Sequence, residues 1–334
     1  MTMNNSKKNN RKEMNNASSR VSISWYPGHM AKTMKQLETD LKLVDVVVEI
    51  LDARIPVSSQ NPEAQKLIKN KKKIVVLNKS DLANEIENKK WLKYFEKKQI
   101  PAILCNSNNG EGANKIINKL NEMMSEEKNI AQQKGRNKIV RAMIIGIPNV
   151  GKSSFINRVS KKTSMRVGNK PGVTKGKQWI KVNPTLELLD TPGILWPKFE
   201  DQQVGLKLAF TGAINDDILD PENMAIAFIN HMISRNPDCL RNRYQITFDT
   251  IEEPHVILEK IAMARGFKKK GDEPDLERAG KILMDEYRGG KLGRLTLELP
   301  EDIDVMLEQK KARAAEKAVL DKERKKAYNN KKKK

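Results

Sequence analysis

The sequence is poor in the residues that build disulfide-rich or metal-centred folds. Its 334 residues include only two cysteines and three histidines. Cys105 and Cys239 lie far apart and match no zinc-ligand spacing, so we expect reduced thiols in a cytoplasmic protein. Long apolar runs are also missing. The longest, such as VVVEIL at 46–51, have the length of a strand, and we expect no stable membrane association.

Negative charge is scarce as well, with 42 acidic against 63 basic side chains. Residues 1–20 carry five basic and one acidic residue and no apolar segment, so we expect no secretory signal peptide. Residues 310–334 carry twelve basic and three acidic residues. We predict that both segments are disordered tails that attract nucleic acid by counterion release, with an anionic membrane surface as the lesser alternative.

Apolar patterning divides the rest of the chain into two parts. Within residues 21–198, five apolar segments are continuous rather than alternating, which is typical of strands buried on both faces: 43–54, 73–78, 101–107, 138–146 and 185–190. Helical stretches lie between them, so this part predicts an α/β domain with a mostly parallel sheet and helices on both faces. Residues 199–309 carry apolar residues at helical spacing and predict a small all-α domain.

A phosphate-binding loop is complete in GIPNVGKSS, at 146–154. It follows a predicted strand and precedes a predicted helix, which is the context that this motif requires. We expect Lys152 to contact the β- and γ-phosphates and the Ser153 hydroxyl to bind Mg²⁺. Further phosphate contacts are expected from the backbone of Asn149, Val150, Gly151 and Ser154. The alternative, a glycine-rich turn with a solvated lysine, does not explain the flanking elements.

A second phosphate-side motif, LLDTPG at 188–193, places Asp190 44 residues after Gly146. We expect Asp190 to hold Mg²⁺ through water and the Gly193 N–H to contact the γ-phosphate, although DTPG alone is also an ordinary turn. Between the motifs lies the glycine-rich, basic stretch 166–178. Its Thr174 is predicted as a second Mg²⁺ ligand; the alternative is a loop threonine bonded to the backbone.

The base-binding motif is VVLNKSDL, at 75–82. Asp81 is predicted to accept hydrogen bonds from N1–H and the 2-amino group of guanine, an arrangement that adenine cannot match and that disfavours an ATPase. Asn78 would contact the other edge of the base, the Lys79 stem would pack over the ring, and Ser80 completes the loop. The backbone of Asn106 and Ser107 would lie near the guanine O6. The alternative is that Asp81 caps the following helix.

The order of these motifs is unusual, because the guanine-binding motif precedes the phosphate-binding loop by about seventy residues. If both motifs are real, the domain is circularly permuted. The sequence therefore predicts a circularly permuted P-loop GTPase domain that is followed directly by the all-α domain.

In this order, the motifs resemble the circularly permuted GTPases of the YlqF/RbgA family, the bacterial ribosome biogenesis GTPases. The resemblance covers roughly residues 21–300 and includes WYPGHMAK (25–32), LDARIP (51–56), LNKSDL (77–82), GIPNVGKSS (146–154), GVTKG (172–176), DTPGILWP (190–197) and DLERAGKILMDEYRGGKLGRLTLE (275–298). It implies a GTPase that binds a late precursor of the large ribosomal subunit, rRNA and ribosomal proteins included, and promotes its maturation. We expect the helical domain, 199–309, to bind RNA or the ribosome, and the particle to stimulate hydrolysis of GTP to GDP and phosphate. We expect a monomer away from the ribosome.

The pattern lacks the glutamine that orients the attacking water in Ras-like enzymes, because Ile194 stands in its place. His29, in the family signature, is the candidate that would orient or deprotonate water; the alternative is a histidine that only fixes the start of a helix. Asn149 stands where some permuted GTPases bind K⁺. Asp52 and Arg54 are expected to pair with each other and are assigned no chemistry.

Two other functional classes remain open on the sequence. In the first, the protein is an rRNA-binding scaffold that GTP switches, and turnover is incidental; the apolar Ile194 favours this, and the Mg²⁺ set of Ser153, Thr174 and Asp190 opposes it. In the second, the GTPase acts in tRNA modification, for which the sequence has neither a modification domain nor a metal cluster.

Overall fold

The computed structural model describes residues 30–160, 178–196, 199 and 201–305. The first part of the chain forms an α/β domain. Its elements, in chain order, are α1 (Met30–Leu41), β1 (Val46–Asp52), α2 (Pro62–Ile68), β2 (Lys72–Asn78), α3 (Glu85–Lys97), β3 (Ala102–Leu104), α4 (Ala113–Met123), α5 (Ser125–Gln133), β4 (Val140–Ile145), α6 (Lys152–Ser160), β5 (Gln178–Asn183) and β6 (Leu186–Asp190).

The six strands form one sheet in the order β3-β2-β1-β4-β6-β5. All neighbouring pairs are parallel except β5 and β6. The strand before the phosphate-binding loop, β4, is central, and the strand before the guanine motif, β2, lies in the half that the chain builds first. The predicted mostly parallel, permuted sheet is confirmed.

The antiparallel edge strand β5 was missed by the sequence analysis. Of its six residues only Ile180 is buried, while Gln178, Trp179 and Lys181 are exposed. An edge strand that is covered on one side only has no continuous apolar run, so the criterion that found the other strands does not apply to it.

Helices cover both faces of the sheet. Consecutive side chains of a strand point to opposite faces, so a strand that is apolar throughout is buried only if both faces are covered. All seven residues of β1 are buried. Val46 and Val48 belong to the core that includes Ile116 of α4 and Phe155 of α6. On the other face, Val47 packs in the core with α1 and α2, and Leu51 packs with Trp91 of α3.

After Asp190 the described chain contains no further strand and continues into helices. These are α7 (Gln202–Phe210), a 3₁₀ turn (Asp216–Ile218), α8 (Pro221–Ile233), α9 (Asp238–Tyr244), α10 (Pro254–Ala264) and α11 (Leu276–Arg288). Asp201, Asp220 and Asp275 cap α7, α8 and α11 with their carboxylates. No helix in the described ranges has the length and apolar content needed to cross a membrane.

The segment after α11, residues 290–305, turns back onto the α/β domain, and we call it the return segment. Its Leu297 N–H donates to the Arg54 carbonyl at 2.9 Å, and the Glu298 carbonyl accepts from the Trp91 indole at 3.0 Å. Ile303 is buried in the core that contains Trp91. The end of the helical part therefore completes the core of the first domain.

The Glu298 carboxylate is buried at the centre of this contact, with 1% of its surface exposed. It accepts hydrogen bonds from the backbone N–H groups of Val57 (2.8 Å) and Ser58 and from the Ser58 hydroxyl. The Lys207 ammonium of α7 lies 3.2 Å away. One carboxylate thus joins the loop after β1 to the helical part.

We expect Glu298→Ala to lower the free energy of unfolding by about 2–4 kcal/mol, because it leaves buried N–H donors and Lys207 without their acceptor. The measurement is urea unfolding followed by tryptophan fluorescence. Glu301→Ala is the control, since Glu301 is exposed and forms only a surface ion pair with Lys90. If both variants unfolded at the same urea concentration as the unsubstituted protein, Glu298 would not stabilise this interface.

Candidate guanine nucleotide site

The predicted site residues that the structure describes lie at one edge of the sheet, where the parallel strands end. Asn78 ends β2 and Asp190 ends β6. The phosphate-binding loop follows β4, and Asn106 and Ser107 follow β3. This is the edge at which open α/β sheets bind ligands.

The side-chain amide of Asn78 connects three of these segments. Its Nδ2 donates to the Val150 carbonyl of the phosphate-binding loop at 2.7 Å. Its Oδ1 accepts from the Ser107 N–H at 3.1 Å and the Ser107 hydroxyl at 2.8 Å. A Cβ on Gly151 would lie 2.3 Å from Nδ2, so only glycine permits this approach. Asn78 therefore holds the base-binding and phosphate-binding loops together, and its contact with the base stays a prediction.

Asp81 does not cap the following helix. The N-cap of α3 is Asn84, whose Oδ1 accepts from the Ile86 N–H at 2.9 Å. Within the described part of the chain, the Asp81 Oδ1 atom is buried and accepts no hydrogen bond. A buried acceptor without a donor is unfavourable on its own, and it fits a ligand that brings N–H donors, as guanine does.

Lys79 is fixed by a neighbour to which the sequence analysis gave no role. Its backbone is in the left-handed region, with φ of 58°, and its Nζ lies 3.2 Å from the Asp52 carboxylate. Burial would raise the pKa of Asp52, but Arg54 and Lys79 together hold it well below its usual range. Arg54 binds the same carboxylate through two bonds of 2.9 and 2.7 Å. The expected Asp52–Arg54 pair is present and also positions Lys79.

The phosphate-binding loop is closed over the Lys152 side chain. The ammonium donates to the carbonyls of Gly146 (3.1 Å) and Ile147 (2.9 Å). Burial lowers the pKa of Lys152 to about 8, and the Asp190 carboxylate acts in the opposite direction. A Cβ on Gly193 would lie 2.9 Å from this Nζ and 2.8 Å from the Pro148 nitrogen, so the DTPG segment lies directly against the loop.

The groups predicted to hold Mg²⁺ are hard oxygen donors, which this ion prefers. Ser153 lies in the first turn of α6, next to Ser154, which is predicted to contact phosphate, and Asp190 is fully buried at the end of β6. The Thr191 hydroxyl donates to the Ile144 carbonyl at 2.7 Å and fixes the backbone beside Asp190. The donor set therefore fits a Mg²⁺ bound mainly by nucleotide and water. Thr174 and His29 lie outside the described residues, and their roles stay predictions.

Ile194 is part of a core and not of the solvent-facing site. Its side chain is 8% exposed and packs in the cluster with Met143 and Leu189. Its carbonyl accepts from the Asn61 amide at 3.0 Å. A side chain held in this way cannot orient a water molecule.

The phosphate-binding loop also contacts the helical part. Asn149 has a left-handed backbone, with φ of 59°, and its amide nitrogen donates to the Gly212 carbonyl at the end of α7. Gly212 has positive φ as well and lies against Arg288 of α11. The loop predicted to bind phosphates and the first helix after the sheet are thus directly bonded.

Arg294 of the return segment was not found by the sequence analysis. Its Nε donates to the Ala83 carbonyl at 2.8 Å and its Nη2 to the Ser80 carbonyl at 3.1 Å. The Leu295 N–H donates to the Leu82 carbonyl at 2.9 Å. These contacts stabilise the loop that carries Asp81. Because more than 200 residues separate the partners, no local pattern signals them.

Comparison with known proteins agrees with this geometry. A family model described as 50S ribosome-binding GTPase matches residues 141–251. The ribosome biogenesis GTPase A of Bacillus licheniformis is 43% identical and spans 84% of this chain and 99% of that protein. That of Thermotoga maritima is 32% identical over 84% of this chain and 96% of its own length. The solved structure of GNP-bound YlqF from T. maritima covers 81% of this chain and 99% of its own, with a TM-score of 0.58 and 28% identity.

We expect Asp81→Asn to weaken GDP binding by about 100-fold or more, because the amide places a donor against the 2-amino group of guanine. Xanthosine diphosphate, with an oxygen in place of that amino group, should bind the variant better than the unsubstituted protein. Fluorescence titration with both labelled nucleotides measures this. Asp304→Asn, at an exposed carboxylate, is the control. Unchanged GDP affinity in Asp81→Asn would exclude the predicted contact.

Proposed function

The chain belongs to the ribosome biogenesis GTPase A family, and from that membership we propose that it binds a late precursor of the large ribosomal subunit and promotes its maturation. It is a GTPase of ribosome biogenesis. The proposed steps beyond this are binding of that particle, stimulation of GTP hydrolysis by it, and release after hydrolysis.

The observation that carries the proposal is the bonding of Asn78 to both Val150 and Ser107. A permuted chain acts as a GTPase only if its two halves meet in one site, and this amide joins them. The description of the matched family, 50S ribosome-binding GTPase, supports the choice of the large subunit.

In the proposed site, guanine lies between the Lys79 stem and the loop after β3, and Asp81 accepts from its N1–H and 2-amino group. The backbone N–H groups from Asn149 to Ser154 surround the β-phosphate, and Lys152 neutralises the charge between the β- and γ-phosphates. Gly193 contributes its N–H to the γ-phosphate. Because Lys79 and Lys152 are already held by buried contacts, little rearrangement of these two side chains is needed to bind.

The GTPase family implies a nucleotide bound with a divalent metal, typically Mg²⁺. We assign its protein ligands as Ser153 and Thr174 directly and Asp190 through water. When bound, the ion neutralises charge on the β- and γ-phosphates.

Hydrolysis needs a group that positions water, and the buried Ile194 does not supply one. We propose His29, which precedes α1 by one residue. A neutral imidazole would orient the nucleophile or accept its proton. K⁺ bound at the Asn149 oxygen is proposed to neutralise transition-state charge, in the place of an arginine finger.

The second candidate function is the GTP-switched rRNA-binding scaffold. The observation that favours it is the same burial of Ile194, since a switch needs nucleotide binding but not fast turnover. The basic tails, 1–20 and 310–334, would contribute to rRNA binding in either case.

We expect GTP hydrolysis in KCl to rise at least about tenfold on adding purified large ribosomal subunits, and not on adding small subunits. His29→Ala should lower the stimulated rate by about 100-fold and leave GDP affinity unchanged, because general acid–base catalysis contributes about that much. The matched control is His255→Ala, at an exposed histidine of α10. Tight GTP-dependent binding of large subunits without stimulation would favour the scaffold, and a wild-type rate in His29→Ala would remove its catalytic role.

Replacing K⁺ by Na⁺ at equal ionic strength should lower the stimulated rate at least about tenfold, with GDP affinity little changed, if K⁺ acts only on transition-state charge. Rb⁺, closer to K⁺ in size, serves as the control and should restore activity in part. Equal rates in the three salts would contradict the K⁺ assignment at Asn149.

A further inference from the structure

The described part of the chain has an open cavity that is separate from the nucleotide site. Its volume is about 460 Å³, within the range of pockets that bind small ligands or single nucleotides. It lies between α9 and the return segment, and the side chains used below are Asn236, Asn242, Arg243, Lys291 and Arg294.

The cavity carries a net positive charge. Its charged lining residues are Asp238, Arg243, Lys291 and Arg294. Asp238 pairs with Arg241 at 2.9 Å, and Arg243 binds the Glu286 carboxylate of α11 at 2.6 Å. The charge that faces the opening therefore comes mainly from the exposed Lys291 and from Arg294, whose Nη1 is 3.7 Å from the exposed Glu85.

The hydrogen-bonding groups of the lining suit a ribonucleotide better than an anion that only accepts hydrogen bonds, such as a carboxylate. The amides of Asn236 and Asn242 each offer both a donor and an acceptor. A ribose 2′-hydroxyl or a base edge uses both, whereas a carboxylate only accepts. Gly293 has φ of 91°, and no heavy atom lies within 4 Å of the position that a Cβ would take, so a backbone phosphate has open access there.

Arg294 links this cavity to the guanine-binding loop. The same guanidinium that lines the cavity donates to the carbonyls of Ser80 and Ala83, on either side of Asp81. A phosphate is a stronger acceptor for a guanidinium than a neutral carbonyl is. A phosphodiester in the cavity would therefore compete with the loop for Arg294.

We propose that this cavity binds a backbone phosphate and the adjacent ribose of RNA, and that its occupation withdraws Arg294 from the Ser80–Ala83 loop and weakens guanine nucleotide binding. The inference rests on the proposed function only for the ribosomal origin of the RNA. It adds an RNA-binding site to the proposed function and gives the direction in which that site is coupled to the nucleotide site: bound RNA accelerates GDP release. Because coupling between equilibrium affinities is reciprocal, bound GDP weakens RNA binding by the factor by which RNA weakens GDP binding.

The test uses the full-length protein, a short fluorescein-labelled RNA hairpin and mant-GDP. We expect saturating RNA to raise the mant-GDP dissociation rate about tenfold, and GDP to raise the Kd for RNA by the same factor as RNA raises the Kd for GDP. Inorganic pyrophosphate, which lacks ribose, should not compete with RNA at equal concentration. Equal competition by pyrophosphate, or a dissociation rate that RNA does not change, would overturn the proposal.

Two charge-reversal variants test the position of the site. Lys291→Glu should raise the Kd for RNA about tenfold. It should also make the affinity less sensitive to salt: the slope of log affinity against log salt concentration should fall by about 0.7 more than it does in the control variant. The control is Lys42→Glu, an exposed lysine that follows α1 at the opposite edge of the sheet from the nucleotide site. Equal RNA affinity in the two variants would place RNA elsewhere and overturn the inference.

Arg294→Ala tests the coupling, and circular dichroism verifies that this variant is folded. Asn242→Asp is a second variant in the same cavity. Arg294→Ala should release mant-GDP faster without RNA and show no further acceleration with it. Asn242→Asp, which does not contact the Ser80–Ala83 loop, should bind RNA more weakly but release GDP at the unsubstituted rate. Continued acceleration of GDP release by RNA in Arg294→Ala would exclude this route.

Stimulation of GTP hydrolysis by large subunits is measured in parallel and distinguishes the two proposals. If the RNA effects hold without stimulation, the proposed stimulation of hydrolysis by the particle is wrong and the RNA cavity stands. In the opposite case, large subunits stimulate hydrolysis, and Lys291→Glu changes neither this stimulation nor the affinity for RNA. The ribosomal function then stands and the cavity does not bind RNA.

Discussion

The side-chain amide of Asn78 has one donor group and one acceptor atom, and both are used inside the protein. The donor binds the phosphate-binding loop through Val150, and the acceptor binds Ser107. Gly151 allows the loop to approach closely enough for this contact. The base-binding and phosphate-binding halves are thereby positioned relative to each other within the protein, which lowers the entropic cost of binding a nucleotide that contacts both. Because this contact depends on spatial neighbours alone, it is compatible with either order of the two halves along the chain.

The helical part contacts the site at both ends of the expected nucleotide. On the phosphate side, Asn149 is bonded to Gly212 at the end of α7. On the base side, Arg294 is bonded to Ser80, and Arg54 lies 5.0 Å from the ring centre of Tyr287 on α11. These three contacts join different segments of the helical part to different loops. A displacement of the helical part would therefore change the environment of guanine and phosphate together, as the proposed link between nucleotide and particle binding requires.

The sequence predicted the elements that carry a strong local pattern. Strands such as β1 and β2 are continuous apolar runs because both faces of the sheet are covered, and their polar last residues, Asp52 and Asn78, lie where ligands bind. It missed β5, which is half exposed, and it left open whether Asp81 was a cap until Asn84 was found in that position. The contacts of Arg294 and Glu298 had no signal at all, since their partners are more than 200 residues away and any arginine or glutamate looks the same locally.

The return segment has a consequence for how this chain is made. Synthesis proceeds from the amino end, so α3 and the guanine-binding loop leave the ribosome long before residues 290–305. Until then Trp91 lacks the Glu298 carbonyl, the loop after β1 lacks its carboxylate, and Ile303 is missing from the core. Contacts of such long sequence separation are costly in loop entropy and form late. A nascent chain therefore acquires a complete nucleotide-binding domain only after residues 290–305 have emerged, and a chain interrupted before them would remain open to proteolysis.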